Sequence, residues 1–510
     1  LTLLSALAAR HLRHDPADPH WPDSDRLILP APRADMPEAA ATILPAPPGL
    51  AFGAALGMAM AERMLAARFG RSLVDHRTWL FAGAAELAAG TAQEAAYAAG
   101  ALGLGRLAVF ATLPQPEPRL LARFTAIGWT VRTIQATDAA AAEAALSACL
   151  RSHKPTLVAE IGEAPASAGP VEDTDADGET AARRGAGARR AWLKRLRRHA
   201  NREAFQRALA GQFAPGWQKS AHAEAPALPG HRLPSTDATI RAALARLAPV
   251  LPDLATLPLR DGQGLPQAAS TAFAGRALSW DGLELAAPAA LLGMALHGGM
   301  LPVAWSPLGM ADMALPALRL AAARQLRGLH LLTAGAEAAP YASPPGVPVF
   351  QPADPAEAID CLVLALRRTA GPAILLLAGT AAAVLPPATP RLCARGGYLV
   401  HAPPAPDVTL LAAGPELATA AAVHDLLAAA GIQPALVSMP CRAVFDSQDA
   451  AYRAGLLGPG RRVAFASADP ASFAGLIGPT DISLRAGITP HAAAAAILRH
   501  MHRSPPELEE

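Results

Sequence analysis

Apolar runs about five to seven residues long recur along the chain and alternate with Ala-rich stretches, an order that predicts parallel strands covered by helices. WLFAG (79–83) and LAVFAT (107–112) read as strands buried on both faces, and ELAAGTAQEAAYAAGALG (86–103) between them reads as helix. IGWTVRTI (127–134) and TLVAEI (156–161) extend the pattern. A second unit begins near residue 236, marked by LPVAW (301–305), GLHLLTAG (328–335), VPVFQP (347–352) and AILLLAG (373–379). A third runs through GGYLVH, DVTLLAAG, a helix over 416–430, IQPALVSMP and RRVAFAS. The predicted fold class is therefore α/β, three consecutive modules with mainly parallel sheets. The expected boundaries are 1–170, 236–390 and 391–510, with a charged, Pro-rich helical linker over 171–235.

That linker is the one place where the pattern breaks. VEDTDADGET (171–180) carries five acidic residues, and 183–207 carries ten basic residues against Glu203 alone. Such blocks are solvated linkers or exposed helix faces; the competing reading is a docking surface, because Trp192, Leu193, Leu196, Phe205 and Leu209 form an apolar stripe beside the basic face.

Composition narrows the classes. The 510 residues suit about three domains. At 17% charged residues and a formal net charge of +2, no global field marks nucleic acid as the partner. Four scattered cysteines (149, 361, 393, 441) form neither a disulfide framework nor a metal knuckle, so a reduced, cytoplasmic setting is expected. The longest apolar run, Ala373 to Leu385, is interrupted by Gly379 and Thr380 and falls short of a span of about 20 residues, so no membrane partner is expected. The N-terminal segment lacks a leading basic region and a small-residue cleavage site, which argues against a signal peptide. His11 and His14 read as surface helix residues rather than metal ligands, and Gly103 with Gly105 as a helix–strand connection rather than a nucleotide loop.

Particular segments carry more than pattern. GMAMAERMLAARFG (57–70), LVDHRTWLFAG (73–83), ALHGGMLP (295–302), ARGGYLV (394–400) and VSMPCRAVFDSQDAAYR (437–453) resemble bacterial transketolase, in the family's order, with the weakest likeness over 163–235. The resemblance implies a diphosphate-binding, a pyrimidine-binding and a C-terminal domain, and active sites shared across a homodimer. It also implies transfer of a two-carbon ketol unit between sugar phosphates, with thiamine diphosphate as electron sink and Mg²⁺ or Ca²⁺ holding its diphosphate.

The positions that matter chemically depart from that family. Its metal-binding Gly-Asp-Gly reads Gly83-Ala84-Ala85 here, its following Glu is Ala89, and its Asn position falls at about Pro114. A hard cation needs oxygen ligands that these side chains lack. Glu86 is nearby but out of register. The family's Ser-Asn-Gly-His-Gly corresponds to LPAPRAD (29–35), with Arg33 at the His position, and its Gly-Pro-Leu-Gly-Gln-Gly turn to PAPPGLA (45–51). Its Gly-His-Pro motifs have no counterpart. The His- and carboxylate-bearing loop is reduced to TAGAEAAPYASPPG (333–346), with Glu337 as its only remnant, and the phosphate-clamping Arg is gone from 378–380. Glu284 is retained, thirteen positions before His297, where the family places its catalytic glutamate. The aromatic clamp on the pyrimidine is replaced by Pro307, Met310 and Met313, which offer no stacking face.

Structural signatures survive while ligand positions are lost, so the expectation is a folded pseudoenzyme with no bound cofactor, working as a homodimer or as a heterodimer with an active transketolase. The first alternative is a divergent enzyme using thiamine diphosphate, Mg²⁺ or Ca²⁺ and Glu284. The second is a small-molecule sensor that reuses the emptied cleft.

Overall fold

The structure is a computed structural model and describes residues 3–31, 41–162, 175–222, 233–258, 280, 282–334, 341–379, 392–466 and 469–501. Arg33, Glu337 and Thr380 lie outside the described residues.

The first module opens with α1 (Leu3–Ala6) and is built on six strands: β1 (Arg26–Leu29), β2 (Thr42–Ile43), β3 (Thr78–Gly83), β4 (Leu107–Leu113), β5 (Thr130–Gln135) and β6 (Thr156–Ile161). All pairings are parallel and the order is β2-β1-β3-β4-β6-β5. The apolar runs are continuous because the central strands are covered on both faces: every residue of β6 is buried, as is all of β3 but Gly83. The covering helices are α2 (Leu50–Phe69), α3 (Ala84–Ala88), α4 (Gly90–Leu102), α5 (Pro118–Ala126) and α6 (Ala139–Arg151). The single helix expected over 86–103 is two, because Ala89 takes an extended backbone (ψ 143°) and turns the chain between α3 and α4.

The charged segment folds as α7 (Asp175–Arg198) and α8 (Arg202–Leu209), followed by α9 (Trp217–His222). Its apolar stripe is not a docking surface. Trp192 and Phe205 are buried in the first core, where Trp192 meets Trp21 edge-on at 6.3 Å and Phe205 meets Phe69 at 5.2 Å. The Trp192 indole N–H donates to the Leu73 carbonyl at 2.8 Å. Most of the basic residues are exposed, while Arg184 donates to the Ala9 and Leu12 carbonyls and Arg189 pairs with Asp18, so the helix is a strap whose apolar side belongs to its own chain.

The second module carries α10 (Thr236–Leu247), α11 (Ala286–His297), α12 (Leu315–Ala323) and α13 (Pro355–Arg367) around β7 (Leu254–Pro258), β8 (Leu301–Pro307), β9 (Gly328–Ala334), β10 (Val349–Phe350) and β11 (Pro372–Ala378). This sheet is also all parallel, in the order β10-β11-β9-β8-β7. The third comprises β12 (Tyr398–His401), β13 (Val408–Ala412), β14 (Pro434–Ser438), β15 (Arg461–Phe465) and β16 (Ile482–Leu484), with only β12 antiparallel. Its helices are α14 (Glu416–Ala429), α15 (Arg442–Asp446), α16 (Ala450–Leu457) and α17 (Pro490–His500).

Two seams join the modules. At the first, α2 crosses α11 with almost no side-chain spacing: a Cβ on Gly57 would lie 1.9 Å from the Ala290 carbonyl oxygen, and one on Gly293 would lie 2.0 Å from that of Ala54. This accounts for the GMAMA segment, in which small residues let two backbones touch. By length and composition α2 would suffice to cross a membrane, yet 83% of its apolar window is buried inside the fold. At the second seam the buried Glu357 carboxylate of α13 accepts from the Tyr398 and Ser438 hydroxyls, each at 2.6 Å. Burial raises its pKa and those two donors counter the shift.

The C-terminal signature segments have local reasons as well. Gly396 sits at φ 80°, and a Cβ there would come within 2.2 Å of the Phe445 amide nitrogen. Asp449 caps α16 through the Tyr452 N–H at 2.8 Å, and the Tyr452 hydroxyl donates to the Gly397 carbonyl at 2.7 Å.

Candidate functional site

In an open parallel sheet, ligands gather beyond the carboxyl ends of the strands, where the strand order reverses direction. In the first sheet that point lies between β1 and β3, and the carboxyl end of β3 is Gly83. Ala84 and Ala85 begin α3 directly after it, Ala89 is the hinge before α4, and Pro114 is exposed just beyond β4. None of these side chains carries an oxygen.

Glu86 supplies the carboxylate in this corner, and it is committed elsewhere. It is buried, one oxygen accepts the Phe52 N–H at 3.2 Å, and the Gly49 and Ala51 N–H groups also bond it. These are orphan donors at the start of α2, which has no side-chain cap of its own. Burial raises the Glu86 pKa and the backbone donors oppose that rise. Glu86 thus satisfies the amino end of the seam helix, and it does not replace the missing metal ligand.

The pyrimidine side shows a different arrangement. Glu284 sits half-buried two residues before α11 and accepts the Gly282 N–H at 3.3 Å. Across the seam, Glu94 of α4 accepts the Leu285 and Ala286 N–H groups at 2.8 and 2.9 Å, capping a helix whose N-cap residue is Leu285. Burial raises the Glu94 pKa, and the neighbouring Glu284 charge adds to the rise. The fold therefore brings two carboxylates from different modules to one helix terminus. Sequence reasoning picked out Glu284 and missed Glu94; the available signal was an apolar helix start, ELAAPAALL, with no capping residue at its N-cap.

Pro307 closes β8, and Met310 and Met313 lie on the short 3₁₀ segment Leu308–Ala314. Met313 is 47% exposed, so it is not packed as a structural core residue. His297, the motif histidine, is structural in this chain. It is buried, its ring Nδ1 lies 2.8 Å from the Gly298 carbonyl oxygen, and its Nε2 lies 2.8 Å from Nε2 of buried His76. Burial pushes both imidazole pKa values well down, so each ring is neutral and one ring nitrogen of the pair donates to the other. His11 and His14, expected on a helix surface, are partly buried, His11 meeting Glu143 at 2.7 Å, and Gly103 is the left-handed C-cap of α4.

A divalent metal was tested against these donors. Among the described residues no group of three or more His, Cys, Asp or Glu side chains converges, and the carboxylate closest in sequence to Gly83 is held by three backbone amides. The described residues do not fit a hard cation.

Comparison with known proteins places this architecture among the three-module, thiamine-diphosphate-type folds. The family description "Transketolase, thiamine diphosphate binding domain" matches residues 32–178, and "Transketolase-like TK C-terminal domain" matches 396–485. A transketolase of Cereibacter sphaeroides is 30% identical, with 90% of this chain aligned to 85% of that protein. The plasmid-borne transketolase of Cupriavidus necator is 31% identical, over 88% and 84% respectively. The fold superposes on transketolase from Campylobacter jejuni with a TM-score of 0.82 at 20% identity, covering 98% of this chain and 94% of that one. Transketolase from Leishmania mexicana gives 0.80 at the same identity.

The chain belongs to the transketolase family. The expectation of no cofactor is thereby corrected: the domain matched over 32–178 is a thiamine diphosphate binding domain, and the relatives that align over most of the chain are transketolases. The departures at Ala84, Ala89, Pro114, Pro307, Met310 and Met313 do not outweigh that match.

Proposed function

We propose that this chain is a divergent thiamine-diphosphate-dependent transketolase, moving a two-carbon ketol unit between sugar phosphates. The observation that carries the reading is the 30% identity spread over 90% of the chain to a transketolase. When bound, thiamine diphosphate supplies the carbanion and electron sink for such a transfer. The chain's own contribution is clearest at the pyrimidine end. Glu284 stands at the amino terminus of α11 with Glu94 beside it, and burial together with the neighbouring Glu284 charge raises the Glu94 pKa. A carboxylate placed there is the type of group that exchanges a proton with a ring nitrogen.

The reading is tested by ketol transfer from a ketose phosphate to an aldose phosphate with added thiamine diphosphate. Cofactor-dependent turnover that falls by about 100-fold or more in Glu284→Gln supports it. Turnover unchanged by that substitution, or no turnover at saturating cofactor, contradicts it.

A second reading is favoured by Ala84, Ala89 and Pro114 at the metal end: a catalytically impaired member that acts through a dimer with itself or with an active transketolase. Tyr97 and Leu285 support an interface here, because both are exposed large apolar residues, 54% and 39%, and Leu285 adjoins the Glu94–Glu284 pair. Native mass spectrometry of the chain alone and mixed with an active transketolase separates the readings. Mixed dimers with altered partner turnover favour the second, and monomer throughout removes it.

A further inference from the structure

A cluster of cationic side chains surrounds a cavity at the opposite end of the first sheet from Gly83. A cavity of about 730 Å³ opens there, lined by Arg63, Arg71, Arg77, Arg106 and Arg151 with Glu62. Arg77 immediately precedes β3 and Arg106 immediately precedes β4, and the wall is completed by Ser152 and His153 just ahead of β6. These are the amino ends of the three central strands. At about 3.3 Å per residue, the six residues of β3 put the cavity some 20 Å from the carboxyl-end crevice.

Among the described residues, the carboxylates that pair with these side chains are fewer than the guanidinium groups. Arg71 pairs with Glu62 and Asp75, and Arg106 with the same Asp75, so five guanidinium groups share two carboxylates. Arg77 is buried, and both arms of its fork go to carbonyl oxygens, those of Gly105 and Leu150, rather than to an acid. Burial lowers its pKa and the charge of Arg106 lowers it further. A chain with only 17% charged residues has gathered like charges in one recess, two of them on Arg63 and Arg151, whose side chains are exposed at the mouth. Guanidinium forks match phosphate oxygens in pairs, and partly desolvated ones bind them more strongly than surface lysines do. The cavity falls within the usual volume range for small-molecule sites.

We infer that this cavity is a second ligand site, taking a small molecule with two linked phosphate groups, separate from the crevice at the carboxyl ends of the strands. With its pKa pushed up to about 7, Glu62 supplies at most one negative charge beside Asp75, so the five guanidinium groups keep a surplus of at least three positive charges, which matches a diphosphate rather than a single phosphate. Arg106 and Arg71 hold one phosphate at the strand ends, and Arg63 and Arg151 close on the other.

The test is calorimetric titration of the full chain with inorganic pyrophosphate, ADP and orthophosphate, repeated on the Arg63→Ala/Arg151→Ala double variant and on Arg106→Gln. Both side chains removed in the double variant lie at the surface, so the fold is retained, which a circular dichroism spectrum verifies. The expected result is binding of a diphosphate more tightly than orthophosphate, weakened about tenfold or more in each variant, the loss of at least one charge-assisted hydrogen bond. Pyrophosphate and ADP binding equally identifies the diphosphate itself as the recognised group, and preference for ADP adds a nucleoside subsite. No heat with either diphosphate overturns the inference. So does binding of unchanged strength in the variants, which would place the ligand in the carboxyl-end crevice instead.

Discussion

The substitution Gly57→Ala tests the seam on which the first two modules depend. Adding one Cβ places a methyl carbon 1.9 Å from the Ala290 carbonyl oxygen, and reaching even 3.0 Å requires the two helices to part by roughly 1.1 Å. Backbone cannot rotate away as a side chain can, so α2 and α11 must separate as units. A gap of 0.5–1 Å forfeits about a quarter to a half of each dispersion contact along the crossing. Overpacking in cores costs about 1–3 kcal/mol, and here the clash is with backbone on a helix buried along most of its length, so the upper end applies. Ala returns about 1 kcal/mol of helix propensity, leaving a net loss of about 2 kcal/mol. The control is Gly455→Ala on exposed α16, where an added Cβ meets nothing within 4 Å and propensity alone should stabilise. In differential scanning calorimetry the transition of the first two modules falls by about 2–4 °C in Gly57→Ala and does not fall in Gly455→Ala. Equal melting of the two variants would refute the close-crossing argument.

Two further outcomes follow from burial. Desolvation raises the Glu62 pKa from 4.5 to about 7, against the opposing pull of Arg71 and Arg106. The folded state therefore keeps a proton that the unfolded chain releases, so the associated stability is complete below pH 4.5 and lost as pH rises through about 7, up to about 3 kcal/mol. Denaturant midpoints between pH 5 and 7.5 should fall less steeply in Glu62→Gln than in the wild type; parallel profiles would contradict the assignment. Trp192→Ala removes a side chain 2% exposed in the first core and should cost about 3–5 kcal/mol in urea unfolding, whereas a residue of an outward docking face would cost under about 0.5 kcal/mol.

Much of the architecture could be read from the chain, because parallel strands buried on both faces leave continuous apolar runs such as LAVFAT and TLVAEI. The family was equally legible, because GMAMA, GGYLV and QDAAYR are tied to close backbone approaches and caps that few residues satisfy. What could not be read depends on partners far apart in sequence. The Trp192 stripe has a periodicity that fits a docking face and a core strap alike, and only the position of Trp21 and Phe69 decides between them. Glu86, near the lost metal ligands but out of register with them, is taken up by the backbone N–H groups at the start of α2. Glu94 and the Arg77–Arg106 cavity arise where strand order brings separate segments together, which no local pattern records.

The central claim is that this family member takes thiamine diphosphate without the family's metal ligands. Calorimetric titration of the cofactor into the full chain, once in EDTA and once with Mg²⁺, tests it most directly. The account predicts saturable binding whose strength is the same within about threefold in the two conditions, because Ala84, Ala89 and Pro114 offer the cation nothing. Absence of binding, or binding strengthened by more than about tenfold on adding Mg²⁺, would contradict it.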